Sequence, residues 1–165
     1  MDITVLPAID EKEFSKLYSQ FSNITMRKMN DKGRCGFPSH RACIFGMTKP
    51  RYTNKIQLAA YSRKYPEIHD EIMRLGELIS PPGFSFNSVQ VNRNICCPKH
   101  RDSKNVGLSV LVSFGEYTGC NIVIEGTEYN AKCQPVMFNG ALLEHWNTED
   151  LIGDKYSLVF FTCKV

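Results

Sequence analysis

Residues 81–95 read PPGFSFNSVQVNRNI, and the hydrophobic period changes inside this stretch. Upstream of it apolar residues recur at helical spacing, and downstream they alternate. Pro81-Pro82-Gly83 ends a helix that Pro66 opens at a first-turn position, with Ile68, Ile72, Leu75 and Ile79 on one face. Further back, Asp10 to Phe21 reads as a helix with Phe14, Leu17, Tyr18 and Phe21 on one face. Asp10 followed by Glu13 resembles a capping box. Residues 26–52 hold many Gly, Pro and basic residues and read as loops with short strands, and 54–64 reads as a further helix. Beyond Gly83, Phe84 to Ile95 reads as a strand. Leu108–Phe114, Asn121–Glu125, Gln134–Phe138 and Tyr156–Val165 follow as strands separated by turn residues. Helices first and strands after imply an α+β fold, and short strands at regular spacing imply a barrel or sandwich.

The chain has 165 residues, the size of one domain, with residues 1–83 supplying supporting helices and basic loops and 84–165 the core. With 42% hydrophobic and 22% charged residues it is outside the collagen-like, coiled-coil and disordered classes. The longest apolar runs, such as Leu158-Val159-Phe160-Phe161, fall far short of the ~20 residues of a membrane span. The start, MDITVLPAIDEKEF, lacks a basic n-region, so no signal peptide is expected. Seven cysteines, an odd number, suit free thiols in a reducing intracellular compartment, cytoplasm or nucleus. The net charge of +3 is uneven: residues 26–64 carry ten Lys and Arg against Asp31 alone, a local +9, and the remainder is −6. Such asymmetry points to an anionic partner, DNA or RNA; a solvated basic face balanced by acids elsewhere is the alternative.

His100-Arg101-Asp102 puts an imidazole and a carboxylate at i and i+2, which at a strand end point to one face. His145 follows 43 residues after Asp102, behind another strand. Two imidazoles and one carboxylate on one face make the facial triad of non-haem Fe(II), with positions left open for a cosubstrate and oxygen. His-x-Asp alone also describes a polar surface turn, so the surroundings decide. Lys155 stands ten residues after His145 and opens the strand KYSLVFF. A cation buried at a barrel mouth needs an anionic partner.

Taken together, VNRNICCPKHRDSKNVG, LVSFGEYTGCNIVIEG, PVMFNGALLEHW and GDKYSLVFFT resemble the Fe(II)/2-oxoglutarate-dependent oxygenases over about residues 84–165. The resemblance implies a double-stranded β-helix core of jelly-roll or cupin-like type, behind supporting N-terminal helices. It also implies Fe(II) held by His100, Asp102 and His145, with 2-oxoglutarate as cosubstrate and O2 as oxidant. Lys155 would meet the distal carboxylate of 2-oxoglutarate, Ser157 would share it, and Asn92 or Asn94 would offer a polar side chain from the second strand. Lysine at this place is similar to the collagen-type prolyl hydroxylases. Phe86-Asn87 followed by Asn92 is similar to the AlkB-type repair enzymes, but Phe160 and Phe161 occupy the region of that branch's second arginine. His100, Asp102 and Asn105, then Gly115-Glu116-Tyr117-Thr118-Gly119, look more like the TET/J-binding-protein group of nucleobase oxygenases. That group often has a second glycine in this turn; Cys120 stands there instead, which reads as a position needing no positive φ. The implied reaction couples decarboxylation of the keto acid, to succinate and CO2, with hydroxylation of a substrate C–H bond.

Three functions stay open: oxidation of a nucleic-acid base such as a 5-methylpyrimidine, hydroxylation of a protein side chain or small molecule, and a non-catalytic binding module. On the first, Arg34, Arg41, Lys49, Arg51, Arg101 and Asn105 are candidate substrate contacts. Phe37, Phe45, Tyr52 and Tyr61 are interleaved with the cations, either to stack bases or to anchor the core. Cys35, His40 and Cys43 with Cys97 and His100 offer a competing zinc set. Trp146 is expected to point away from the ligand face into core or rim packing, and the oligomeric state stays open.

Overall fold

A computed structural model describes residues 2–28, 35–50 and 52–164, with only the backbone described at 28 and 35–40. In chain order the elements are β1 (Thr4–Val5), a 3-10 turn (Glu11–Phe14), α1 (Ser15–Ser22), β2 (Arg27–Lys28), β3 (Cys35–Thr48), β4 (Gln57–Leu58), α2 (Ala60–Lys64) and α3 (Pro66–Ile79). There follow β5 (Ser88–Cys96), β6 (Asn105–Thr118), β7 (Ile122–Ile124), β8 (Thr127–Tyr129), β9 (Val136–Phe138), β10 (His145–Asn147) and β11 (Ile152–Cys163). A large antiparallel sheet runs β1-β9-β6-β11-β5-β3-β2, and a small one runs β10-β7-β8. This is the two-sheet β-helix architecture, with the helices on one side of the large sheet.

The central strand β11 explains the division of labour. Tyr156, Leu158 and Phe160 point to one face and are buried with Phe14, Leu17 and Phe21 of the N-terminal helical segment and Ile68, Ile72 and Leu75 of α3. Ser157, Val159 and Phe161 point to the other face and line a cavity between the sheets. Period-2 alternation makes one strand serve both the core and the site. The helices press close. A Cβ at Gly76 of α3 would lie 2.3 Å from the Phe86 ring, so only glycine lets α3 settle against that ring.

Several expectations need correction. The first half is less helical than its composition suggests, because β3 is a strand of 14 residues. It pairs with β5 from Arg41↔Arg93 to Gly46↔Ser88, and again at Cys35↔Cys96 after a register irregularity. Glycines, Pro38 and basic residues hide its alternation. Residues 54–64 are not one helix; β4 pairs with β3 and only Ala60–Lys64 is helical. Asp10 does cap a helical turn, its carboxylate accepting the Lys12 N–H at 3.0 Å, but the Glu13 carboxylate reaches Arg74 instead of closing a box.

Phe21 is fully buried, and its ring lies 5.1 Å from that of Tyr156, 6.3 Å from Phe114 and 6.4 Å from Phe45. Phe21→Ala is expected to lower unfolding stability by about 3–5 kcal/mol. Ile152→Ala, at a 73% exposed position, should change it by less than about 0.5 kcal/mol. Urea denaturation of both variants checks the contrast.

Candidate active site

His100 and His145 face each other as a doubly hydrogen-bonded backbone pair, each N–H donating to the other's carbonyl at 3.0 Å. One turn of the ladder away, the Asn147 N–H donates to the Cys97 carbonyl at 2.9 Å, and the Cys97 N–H donates to Asn147 Oδ1 at 3.0 Å. The 97–100 segment is thereby zipped onto β10, and the two imidazoles sit with ring centroids 4.2 Å apart. Asp102 is brought in by its N–H, which donates to the Gly140 carbonyl at 2.8 Å. A Cβ at Gly140 would lie 3.1 Å from Asp102 Oδ2 and 3.5 Å from the His145 ring, so a side chain there would crowd both.

The tautomers follow from the backbone. His100 Nδ1 is 2.7 Å from the Pro98 carbonyl and His145 Nδ1 is 2.8 Å from the Leu143 carbonyl. A carbonyl only accepts, so each Nδ1 carries a proton, and Nε2 is the ring nitrogen left to face a metal. His145 Nε2 lies 3.1 Å from Asp102 Oδ2, and His100 Nε2 lies 3.5 Å from Asp102 Oδ1. All three ligand atoms fall within 4.8 Å of one another. Adjacent donors at ~2.1 Å from one metal are about 3 Å apart, close to the two histidine–aspartate separations. Among the described residues this is the one group of three such donors that could hold an ion. Two imidazoles and one carboxylate, on one side of an open space, fit Fe(II).

That space is a cavity of about 130 Å³. Besides the triad it is lined by Gln90, Asn92, Asn105 and Asn147, by Ser109 and Ser157, and by apolar residues including Phe138 and Phe161. Ser109 is buried and its Oγ has no hydrogen-bond partner among the described residues, so it offers a bond to an occupant. Ser157 Oγ is 3.0 Å from Ser113 Oγ, and Gln90 Nε2 donates to Asn92 Oδ1 at 3.0 Å. Polar groups placed in this way fit a small oxygen-rich acid beside the metal.

The other expected residues divide. Asn92, Asn105 and Ser157 line the cavity. Asn94 does not. Its φ is +56°, its Oδ1 accepts the Lys155 N–H at 2.7 Å, and its Nδ2 donates to Asp154 Oδ1 at 3.1 Å. This bulge shifts the strand's parity: Gln90 and Asn92 face the cavity before it, Ile95 and Cys97 after it. Lys155 is buried on the same face of β11 as Ser157, but it lies outside the cavity lining. Its Nζ donates to the Cys120 carbonyl at 2.6 Å. Arg101 points out, its Nε donating to the Leu142 carbonyl at 3.1 Å, with Glu144 at 3.9 Å.

Arg41 and Lys49 lie on or just beyond β3, which neighbours β5, and neither lines the cavity. Arg34 and Arg51 lie outside the described residues. Of the zinc set, Cys43 is buried in the helix-side core and not in the cavity lining with Cys97 and His100, and the Cys35 and His40 side chains lie outside the described residues. Trp146 is half-buried with Lys99 Nζ 4.7 Å over its ring, a rim position. Cys120 has φ +53°, so the turn does need a positive φ, contrary to expectation. Sequence reading missed Gln90, Ser109 and Asn147. Gln90 and Asn147 could have been found by counting two residues from Asn92 and His145 along their strands.

No protein-family model matches the sequence, and no curated protein matches it. Solved structures do. OsALKBH1 matches over 97% of this chain and 96% of its own, at 11% identity and a TM-score of 0.61. NgTET1 in complex with 5mC DNA matches over 98% of this chain and 72% of its own, at 16% identity and a TM-score of 0.66. An oxidoreductase of the 2OG-Fe(II) oxygenase family from Burkholderia pseudomallei matches over 96% of this chain and 82% of its own, at 16% identity and a TM-score of 0.63. The chain has the double-stranded β-helix fold of these oxygenases.

His145→Ala removes the most buried ligand and is expected to weaken metal binding by more than about 100-fold, beyond the usual cost of losing an outer-shell partner. Anaerobic titration with Co(II), followed by visible absorption, measures it. Equal affinity in wild type and variant would place the metal elsewhere.

Proposed function

We propose that this protein is an Fe(II)- and 2-oxoglutarate-dependent dioxygenase that hydroxylates a C–H bond of a nucleic-acid base, such as a 5-methylpyrimidine. The observation carrying the reading is the His100–Asp102–His145 cluster, its three ligand atoms within 4.8 Å and open to a cavity. The metal, loaded with 2-oxoglutarate and O2, supplies oxidising power that no side chain has.

The chain's own residues do the rest. The Pro98 and Leu143 carbonyls hold the two imidazoles as Nε2 donors, and Asp102 adds the anionic ligand. Lys155 is the cation assigned to the distal carboxylate of the keto acid; it is buried on the Ser157 face of β11 beside the cavity, and its ammonium would have to turn from the Cys120 carbonyl to meet that carboxylate. Ser157, Ser109 and Asn92 are assigned to orient that acid, and the apolar walls at Leu111, Val159 and Phe161 to keep water from the reacting centre.

Three features support a base as substrate. The cavity's carboxamides, Gln90, Asn92, Asn105 and Asn147, can both donate to and accept from a base edge. The basic segment 26–64 includes β3, which lies beside β5, the strand that carries Gln90 and Asn92. NgTET1, of similar fold, was solved with 5mC DNA. On this reading Arg41 and Lys49, together with Arg34 and Arg51, meet phosphates. Lysine rather than arginine at 155 favours a second reading, hydroxylation of a protein side chain such as proline.

Anaerobic addition of Fe(II) and then 2-oxoglutarate should produce a visible metal-to-ligand charge-transfer band that His145→Ala lacks. A folded wild type without the band would sink the oxygenase reading. Binding to a 5-methylcytosine oligonucleotide should weaken steeply with salt, and Arg41→Glu with Lys49→Glu should lower the log–log salt slope by about 1 for each phosphate no longer neutralised. Succinate release with hydroxylated peptide and unmodified DNA would transfer the assignment to the second reading.

A further inference from the structure

Behind the cavity wall, Cys96, Tyr117, Cys120 and Leu151 form a small buried cluster of their own. The two cysteines are 2% and 1% exposed, and their Sγ atoms lie 3.2 Å apart. Cys96 ends β5, and Cys120 sits in the turn between β6 and β7. Lys155 closes another side of the cluster, its Nζ 3.3 Å from Cys120 Sγ and 5.5 Å from the centre of the Tyr117 ring. Cys120 Sγ accepts from both the Cys96 thiol and the Lys155 ammonium. Asp150, facing from the neighbouring loop, accepts the Cys120 N–H at 2.8 Å. The Cys96 hydrogen bond first, and then the lysine, hold the Cys120 thiol below the usual range, while the same hydrogen bond and burial push Cys96 up.

Two further features mark the pair. Cys120 holds a left-handed φ of +53°, where glycine would fit without strain, so its side chain does more than make the turn. Ile95, Cys97 and Ile122, chain neighbours or near neighbours of the pair, line the cavity, so the sulfurs lie close behind a wall that small oxidants can reach.

We propose that Cys96 and Cys120 are a redox-active dithiol that closes to a disulfide on reaction with hydrogen peroxide and reopens with glutathione. The Cys120 thiolate attacks one peroxide oxygen, the O–O bond breaks, and the departing hydroxide takes a proton from solvent. The resulting sulfenic acid is attacked by Cys96, the S–S bond forms, and water leaves with the Cys96 proton. Two electrons pass from the sulfurs to the peroxide, and two waters result once solvent has supplied that proton. A 3.2 Å separation leaves little more than 1 Å of approach to the ~2.05 Å bond, within reach of side-chain rotation.

The ammonium of Lys155 favours the reduced form, because closing the bond removes the sulfur anion beside it. Stabilising the dithiol makes its disulfide easier to reduce, which is why glutathione reopens it. The bond would span 24 residues that include His100 and Asp102, and it would change what faces Lys155. The inference stands without the oxygenase reading, since neither cysteine is a metal ligand in it.

The test uses the full chain, reduced and then treated with hydrogen peroxide before alkylation with N-ethylmaleimide. With alkylation carried out in denaturant, so that buried thiols also react, intact mass should show five of the seven cysteines alkylated, and peptide mapping should join the Cys96–Cys97 peptide to that of Cys120. Cys97→Ser should keep the cross-link, Cys96→Ser and Cys120→Ser should lose it, and glutathione should restore seven alkylated thiols in the wild type. Peptide maps of the wild type and of Cys97→Ser locate the bond by themselves, so the test holds even where Cys96→Ser or Cys120→Ser misfolds. Seven alkylated thiols after peroxide, a bond to Cys97 or Cys163, or one that glutathione cannot reopen would overturn the proposal.

Discussion

Two backbone hydrogen bonds of 3.0 Å, exchanged between His100 and His145, are the constraint on which the site depends. They bring residues 45 positions apart into register and leave both imidazoles on one side of the pair. The other fixing contacts are also main-chain carbonyls: Pro98 and Leu143 for the imidazoles, Gly140 for the Asp102 N–H. A site positioned by backbone asks the sequence for three ligand residues, a glycine at 140 and strands of the right length. Identities of 11–16% accompany structural matches over 96–98% of this chain, so the fold itself asks little of the sequence.

The large sheet must bury one face under helices and still keep the other partly open. β11 does both by alternation, with aromatic and aliphatic residues toward α1 and α3 and Ser157, Val159 and Phe161 toward the cavity. A one-residue slip of β11 would carry Tyr156 into the site and Ser157 into the core. Contacts of Asn94 oppose such a slip. Its amide caps the Lys155 N–H and touches Asp154, which also takes the Arg93 guanidinium at 2.9 and 3.1 Å. The same side chain that left the cavity therefore pins the strand that lines it.

What could be read from residues alone was whatever depends on local pattern. Ile68, Ile72, Leu75 and Ile79 gave away α3, and each is buried. His100, Asp102 and His145 carried the site because their spacing needs only a strand end and a returning strand. What could not be read depends on contacts distant in sequence. β3 looks like a loop until β5 supplies its partner. Asn94 alternates correctly with Asn92, and only its backbone turn, which periodicity does not encode, removes it from the cavity. Cys120 conceals its conformation for a similar reason. Its left-handed turn is held by Asp150, 30 residues away, whose carboxylate accepts both the Cys120 N–H and the Thr148 hydroxyl.

Charge and chemistry are set apart in this chain. No Lys or Arg is among the described residues lining the cavity, and its polar side chains beyond the triad are carboxamides, hydroxyls and a thiol. Ten cations fall instead in residues 26–64; Arg27, Lys28 and Arg41 are on the strands that extend the sheet past β5, and Arg63 and Lys64 are in α2. A further cation beside the triad would repel the metal and would carry a desolvation cost of its own. At the sheet edge a cation stays hydrated and acts over a Debye length of about 8–10 Å, enough to hold a polyanion without entering the site. Lys155 is the exception that the same reasoning accounts for. It is buried beside the cavity, and there it keeps a carbonyl, a sulfur and an aromatic face around its ammonium in place of water.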